Sequence, residues 1–143
     1  MTDDPCVSIS AEAHRSLVLP RIRRVFAEFG GGWYHSCGHY PHQIDNLLSA
    51  PEITAVNFGN PEQWPDFAEV VGRVVAAGKV YYGAIPVDSS EDLEPALRRV
   101  LSALGGRRRG LIVFLKGNAP WPEPQATMDL WHRLQDELCE KAG

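Results

Sequence analysis

Cysteine is scarce in this chain: three residues in 143, Cys6, Cys37 and Cys139, odd in number and far apart. A disulfide framework is excluded, and free thiols fit a reduced compartment. Long apolar runs are missing too. The longest, "LIVFL" at 111–115, is five residues against the roughly 18 needed to cross a bilayer, so no membrane segment is expected. The opening "MTDDPCVSIS" has neither a basic n-region nor an apolar h-region, and the chain reads as cytoplasmic. Charge of one sign is also wanting: the net charge is −4, and the basic residues are scattered apart from Arg21, Arg23 and Arg24 and the run Arg107, Arg108 and Arg109. A nucleic-acid partner is therefore not expected. Gly-x-Ser-x-Gly, the phosphate-loop pattern and Gly-x-Gly-x-x-Gly are all lacking, which removes the hydrolase elbow and the usual nucleotide cradles. No repeat, low-complexity segment or linker interrupts residues 1–143. They read as one domain, long enough to bury roughly 68–70% of its unfolded surface.

What the chain does contain is alternation. "CVSIS" precedes "AEAHRSLVLPRIRRVFAEF", where Leu17, Leu19, Ile22, Val25, Phe26 and Phe29 recur at near-helical spacing and Pro20 predicts a kink or a restart. "GWYHS" leads to "PHQIDNLLSA", and "ITAVNFG" to "PDFAEVVGRVVAAG", with its apolar stripe Phe67, Val70, Val71, Val74 and Val75. "KVYYGAI" is followed by Ser89 and Ser90 as caps and by "LEPALRRVLSALGG", closed by glycines. "GLIVFLK" precedes "QATMDLWHRLQDELCEKA". About five β–α units in succession predict an α/β fold with a parallel sheet and helices packed outside it.

In such sheets ligands bind beyond the carboxyl ends of the strands. The predicted strands end in Ser8 and Ser10, His35 and Cys37, Asn57 and Asn60, Pro86 and Asp88, and Lys116 and Asn118. Of these, "HSCGHYPH" stands out, with His35, Cys37, His39 and His42 in eight positions. His-x-Cys is a two-point zinc grip, because side chains two apart share a strand face and zinc accepts both thiolate sulfur and imidazole nitrogen. A catalytic zinc needs a third protein ligand, which this stretch does not supply: Gly38 turns the chain before His39, and His42 falls in the next helix, facing solvent. Cys139 belongs to the apolar side of the last helix, with Leu130, Trp131, Leu134 and Leu138. Asp3 and Asp4 form either a carboxylate pair at the active edge or a solvated terminus.

"ISAEAHRSLVLPRIRRVFAEF", "YHSCGHYPHQIDNLL", "YYGAIPVDSS" and "GLIVFLKGNAPWPEP", in that order, resemble the carboxyl-terminal half of the uroporphyrinogen decarboxylase superfamily. It comprises porphyrinogen decarboxylases and zinc-dependent enzymes that move methyl groups between corrinoid proteins and thiols. The resemblance implies an α/β fold that is part of a (β/α)8 barrel of the TIM type, an architecture that typically takes about 250 residues. It thus implies a truncated or split member, completed by a second copy or a complementing chain. His35 and Cys37 match two zinc ligands of the methyltransferase branch. The third, a cysteine after the last strand, is replaced by Lys116, Gly117 and Asn118.

Three functions follow from that likeness. The first is methyl transfer between a corrinoid protein and a thiol, with zinc on His35 and Cys37. The second is a carboxy-lyase needing no cofactor, in which polar groups such as Ser8, His35 and Asn57, with Asn118, bind the acidic side chains of a tetrapyrrole. The Gly-His-Gly loop and the arginine-rich amino-terminal segment of the decarboxylases are not present. The third is a non-catalytic fragment or assembly module. No catalytic residue is assigned.

Overall fold

The computed structural model describes residues 1–87, 93–115 and 123–140. Four of the apolar runs become strands: β1 (Gly32–Ser36), β2 (Ile53–Phe58), β3 (Val80–Ile85) and β4 (Leu111–Leu115). They form one parallel sheet in the order β1-β2-β3-β4. The register sets Tyr34 against Val56, His35 against Asn57, Val56 against Tyr81, and Tyr82 against Ile112. The helical elements are α1 (Ala11–Ala13), α2 (Leu19–Glu28), α3 (Ile44–Ser49), α4 (Phe67–Ala76), α5 (Leu93–Ala103) and α6 (Pro124–Leu138). Among the described residues no helix is long and apolar enough to cross a membrane.

The restart expected at Pro20 takes the form of a π-turn, His14–Val18, that joins α1 to α2. Proline has no N–H to give to Ser16, so the ladder slips by one residue and Leu19 N–H reaches back to the His14 carbonyl. The Ser16 hydroxyl donates to the Glu12 carbonyl at 2.9 Å.

The first predicted strand is corrected by the structure. "CVSIS" is no strand: Asp4–Ser8 form a 3-10 turn, and the sheet has four strands among the described residues. Pro5 is the reason, since it cannot donate to a ladder and suits the first position of a helical turn. Pairing with β1 is confined to the residues before it. His35 N–H donates to the Met1 carbonyl and Asp3 N–H to the His35 carbonyl, each at 2.9 Å, with Thr2 opposite His35. Cys6 N–H then bonds the Asp3 carbonyl at 3.1 Å and closes the turn.

Strands laid down in sequence order by right-handed crossovers put the helices between them, α3, α4 and α5, on one face of the sheet. On that face Tyr34, Val56, Phe58, Tyr81 and Ile85 are buried beneath Ile22, Phe26, Leu47, Val71, Val74 and Leu101. Phe58 stacks on Trp64 at 4.4 Å, and Tyr40 meets Trp64 edge-on at 4.9 Å. Helices α4 and α5 touch at Gly72, where a Cβ would collide with the Ala103 carbonyl oxygen. The opposite face carries exposed apolar side chains. Trp33, Tyr82, Ile112 and Phe114 are 42%, 37%, 58% and 48% exposed there, with Trp33 and Tyr82 rings 5.0 Å apart. The "LIVFL" run is therefore covered on one side only.

Helix α6 is tied to α5 by charge as well as by buried Leu134. Arg98 bonds both carboxylate oxygens of Glu137 at 2.7 and 2.8 Å and also Glu94 at 2.9 Å, while Arg133 reaches Glu94 at 2.7 Å. Arg133 and then Arg98 hold the Glu94 carboxyl below its ordinary value, and Arg98 does the same to Glu137. A depressed folded-state pKa gives stability that is present above the ordinary carboxylate value, about 4.3, and lost as pH falls through the lowered one. Melting temperature should fall over that acid range more steeply in the parent protein than in Glu137→Gln; parallel acid profiles would show that the network contributes nothing.

Candidate metal centre

The amino-terminal turn and the carboxyl ends of β1 and β2 converge on three donor groups. Ligand atoms of Asp4, His35 and Cys37 all lie within 4.8 Å of one another. His35 Nε2 is 3.5 Å from Cys37 Sγ, and Cys37 N–H donates to Asp4 Oδ1 at 2.8 Å. Ligands held at about 2.0–2.3 Å in a tetrahedral zinc site stand roughly 3.3–3.8 Å apart, so the His35–Cys37 spacing already fits and the carboxylate is within a small adjustment. One imidazole, one thiol and one carboxylate also suit zinc by chemistry.

Each group is placed by its surroundings. Asp4 is delivered by its neighbour Asp3, whose carboxyl is almost fully buried and accepts from Tyr34 Oη at 3.0 Å and contacts His14 Nε2 at 2.9 Å. Burial, with Cys6 and Asp3 close by, pushes the Tyr34 phenol far above its ordinary value, so it remains a donor. Residues of the 3-10 turn Pro41–Gln43 and of α3 hold the same segment by its backbone. Gln43 Nε2 donates to the carbonyls of Cys6 and Ile9, His42 Nε2 to Ile9, and Asn46 Nδ2 to Ala11. Beyond β1, Gly38 turns the chain at φ +82°, with its N–H on Asn60 Oδ1 and its carbonyl on Trp64 Nε1. Gly59 leaves room for the pair: a Cβ there would lie 2.6 Å from Cys37 Sγ and 2.9 Å from His35 Cε1.

His35 and Cys37 are thus brought together as the sequence led us to expect, and Asp4 joins them as the third donor. Asn57 is hydrogen-bonded to His35, with Oδ1 2.5 Å from Nδ1. Ser8 is exposed at the end of the 3-10 turn, and Ser10 caps α1 by accepting from Ala13 N–H at 3.1 Å. His39 packs edge-on against Trp64 at 4.9 Å. His42 is exposed, as expected, and its Nε2 also donates to the Ile9 carbonyl at 3.0 Å. Asn118 lies outside the described residues, as do Asp88, Ser89, Ser90, Lys116 and Gly117. Sequence reasoning did not assign Asp4 to the centre; its only signal was a carboxylate pair in front of the first predicted strand.

No family model matches the chain, and neither does any curated protein or solved structure.

The three thiols differ in access. Cys37 is exposed, whereas Cys6 and Cys139 are buried and burial pushes both above the ordinary thiol value. In native protein a maleimide should label Cys37 first and alone, with Cys6 and Cys139 reacting only on unfolding, as read by peptide mass spectrometry. Equal labelling of Cys6 under native conditions would contradict this placement.

Proposed function

We propose that Asp4, His35 and Cys37 form a zinc centre that activates a thiol for methyl transfer, as in the corrinoid-dependent branch of the uroporphyrinogen decarboxylase superfamily that the sequence resembles. The observation that carries this reading is the convergence of three chemically suitable donor atoms within 4.8 Å at the carboxyl edge of a parallel sheet. Three protein ligands and a remaining coordination position make the catalytic pattern rather than the closed structural one. Zinc bound there would lower the pKa of a coordinated thiol and so supply a thiolate. The protein's own part is to hold the donors. Asp4 is steadied by the Cys37 N–H, and Cys37 is kept beside His35 by the turn that Gly38 and Asn60 fix. Trp33 and Tyr82 lie on the uncovered face next to His35, with the Trp33 and His35 rings 6.2 Å apart. They offer an apolar platform to a substrate approaching the centre, the methyl donor being a corrinoid protein.

The same reading makes the sheet a portion of a (β/α)8 barrel. Sequential parallel strands with helices on one face are the wall of such a barrel, and the exposed apolar face is its interior. Patches of this kind mark an interface, here to further strands from a second copy or a complementing chain.

Titration of zinc against a competing chelator is the test. One zinc per chain should bind, with affinity rising with pH as thiol deprotonation is linked to binding, and Cys37→Ser or His35→Ala should remove measurable binding. Asp4→Asn should weaken it. A tight one-to-one zinc that survives Cys37→Ser would overturn the assignment. Sedimentation of the same samples reports on the sheet: a monomer that binds no apolar dye would contradict an uncovered barrel wall.

A further inference from the structure

We propose that Asn57 is the positioning residue of this centre, fixing His35 in the tautomer whose bare Nε2 faces Cys37 and Asp4; the inference rests on the zinc reading above. The argument starts from a group whose role cannot change. A backbone carbonyl only accepts, and the Tyr82 carbonyl lies 2.5 Å from the Asn57 side-chain amide. The atom facing it must be Nδ2, because Oδ1 there would set two acceptors against each other. With Nδ2 committed to β3, Oδ1 is turned towards β1, where it meets His35 Nδ1 at 2.5 Å. An amide oxygen is an acceptor only, so Nδ1 must carry the hydrogen. A neutral imidazole has one N–H, and Nε2 is left with its lone pair, 3.5 Å from Cys37 Sγ.

The donor sequence thus runs from the backbone of β3, through a side chain of β2, to a ring on β1. It is built into the sheet. The backbone ladder between β2 and β3 comprises Ala55 with Val80 and Val56 with Tyr81, and the next bond across that gap is made by the Asn57 amide. Asn57 is 6% exposed, so water does not replace a lost partner, and leaving such a group unpaired costs about 1–3 kcal/mol. Gly83 provides the space, since a Cβ on it would lie 2.6 Å from Asn57 Nδ2. Metal-bound histidines generally owe their ring orientation to a partner of this kind on the other nitrogen, and losing that partner typically weakens metal binding about 10–100-fold. A residue at the carboxyl edge of the sheet need not touch substrate to be required there.

The experiment reads the ring before the metal. Metal-free protein labelled with ¹⁵N-histidine, at a pH where the ring is neutral, should show His35 protonated at Nδ1 and bare at Nε2. Asn57→Ala should shift the ring towards the Nε2–H form and weaken zinc about 10–100-fold. Asn57→Asp keeps an acceptor facing Nδ1 but sets a second oxygen against the Tyr82 carbonyl, so it should preserve the tautomer while weakening the link to β3. The parent spectrum alone decides the tautomer if neither variant folds. A parent His35 in the Nε2–H form, or a folded alanine variant unchanged in tautomer, would overturn the proposal. Parent protein with the expected tautomer and no zinc affinity would instead refute the zinc reading and leave the orienting role of Asn57 standing.

Discussion

A single buried carboxyl group, that of Asp3, sets where the amino-terminal segment ends up. It sits beneath the end of β1 with Tyr34 and His14 as partners, and its own N–H pairs with the His35 carbonyl. Once Asp3 is so engaged, Asp4 has little freedom. Pro5 fixes the next φ, the 3-10 turn closes, and the Asp4 carboxylate arrives at the N–H of Cys37. The bonds between His35 and the backbone of Met1 and Asp3 hold the same segment from the other side. Gln43, Asn46 and His42 complete the arrangement by bonding carbonyls of residues 6–11, so the turn Pro41–Gln43 and α3 together clamp the first turn.

The sheet contributes direction. Parallel strands in sequence order align their carboxyl ends along one edge and their helices on one face. The donor groups collect at that edge, and the apolar row Trp33, Tyr82 and Phe114 lies exposed on the opposite face. Packing rigidity supports the site from beneath. Phe58, Trp64, Tyr40 and Tyr81 form an aromatic block under the end of β2, and Tyr40 Oη reaches the Asn57 carbonyl at 3.1 Å. His35, carried on β1, is held more closely than a side chain on a loop would be.

Much of this was legible in the sequence, and the rest was hidden for identifiable reasons. The runs "GWYHS", "ITAVNF", "VYYGAI" and "LIVFL" are rich in β-branched and aromatic residues and all become strands. "CVSIS" has the same composition but follows Pro5, and the missing N–H outweighed propensity. His35 and Cys37 could be paired by the two-residue period of a strand. Asp4 could not, because it is 33 positions from Cys37 and tertiary contacts of the amino-terminal segment bring it there. Asn57 was visible as a polar residue at a strand end, while its link to His35 depends on register and on the Tyr82 carbonyl, neither of which a linear pattern encodes. His42 had the composition of a ligand and the position of a clamp.

The central claim is that this edge holds one metal ion through one sulfur, one imidazole and one carboxylate. X-ray absorption at the zinc edge on metal-loaded protein tests it most directly. The account predicts a single sulfur at about 2.3 Å with nitrogen and oxygen scatterers at about 2.0–2.2 Å, including imidazole multiple scattering. A spectrum with no sulfur, or with two or more protein-derived sulfurs, would contradict it.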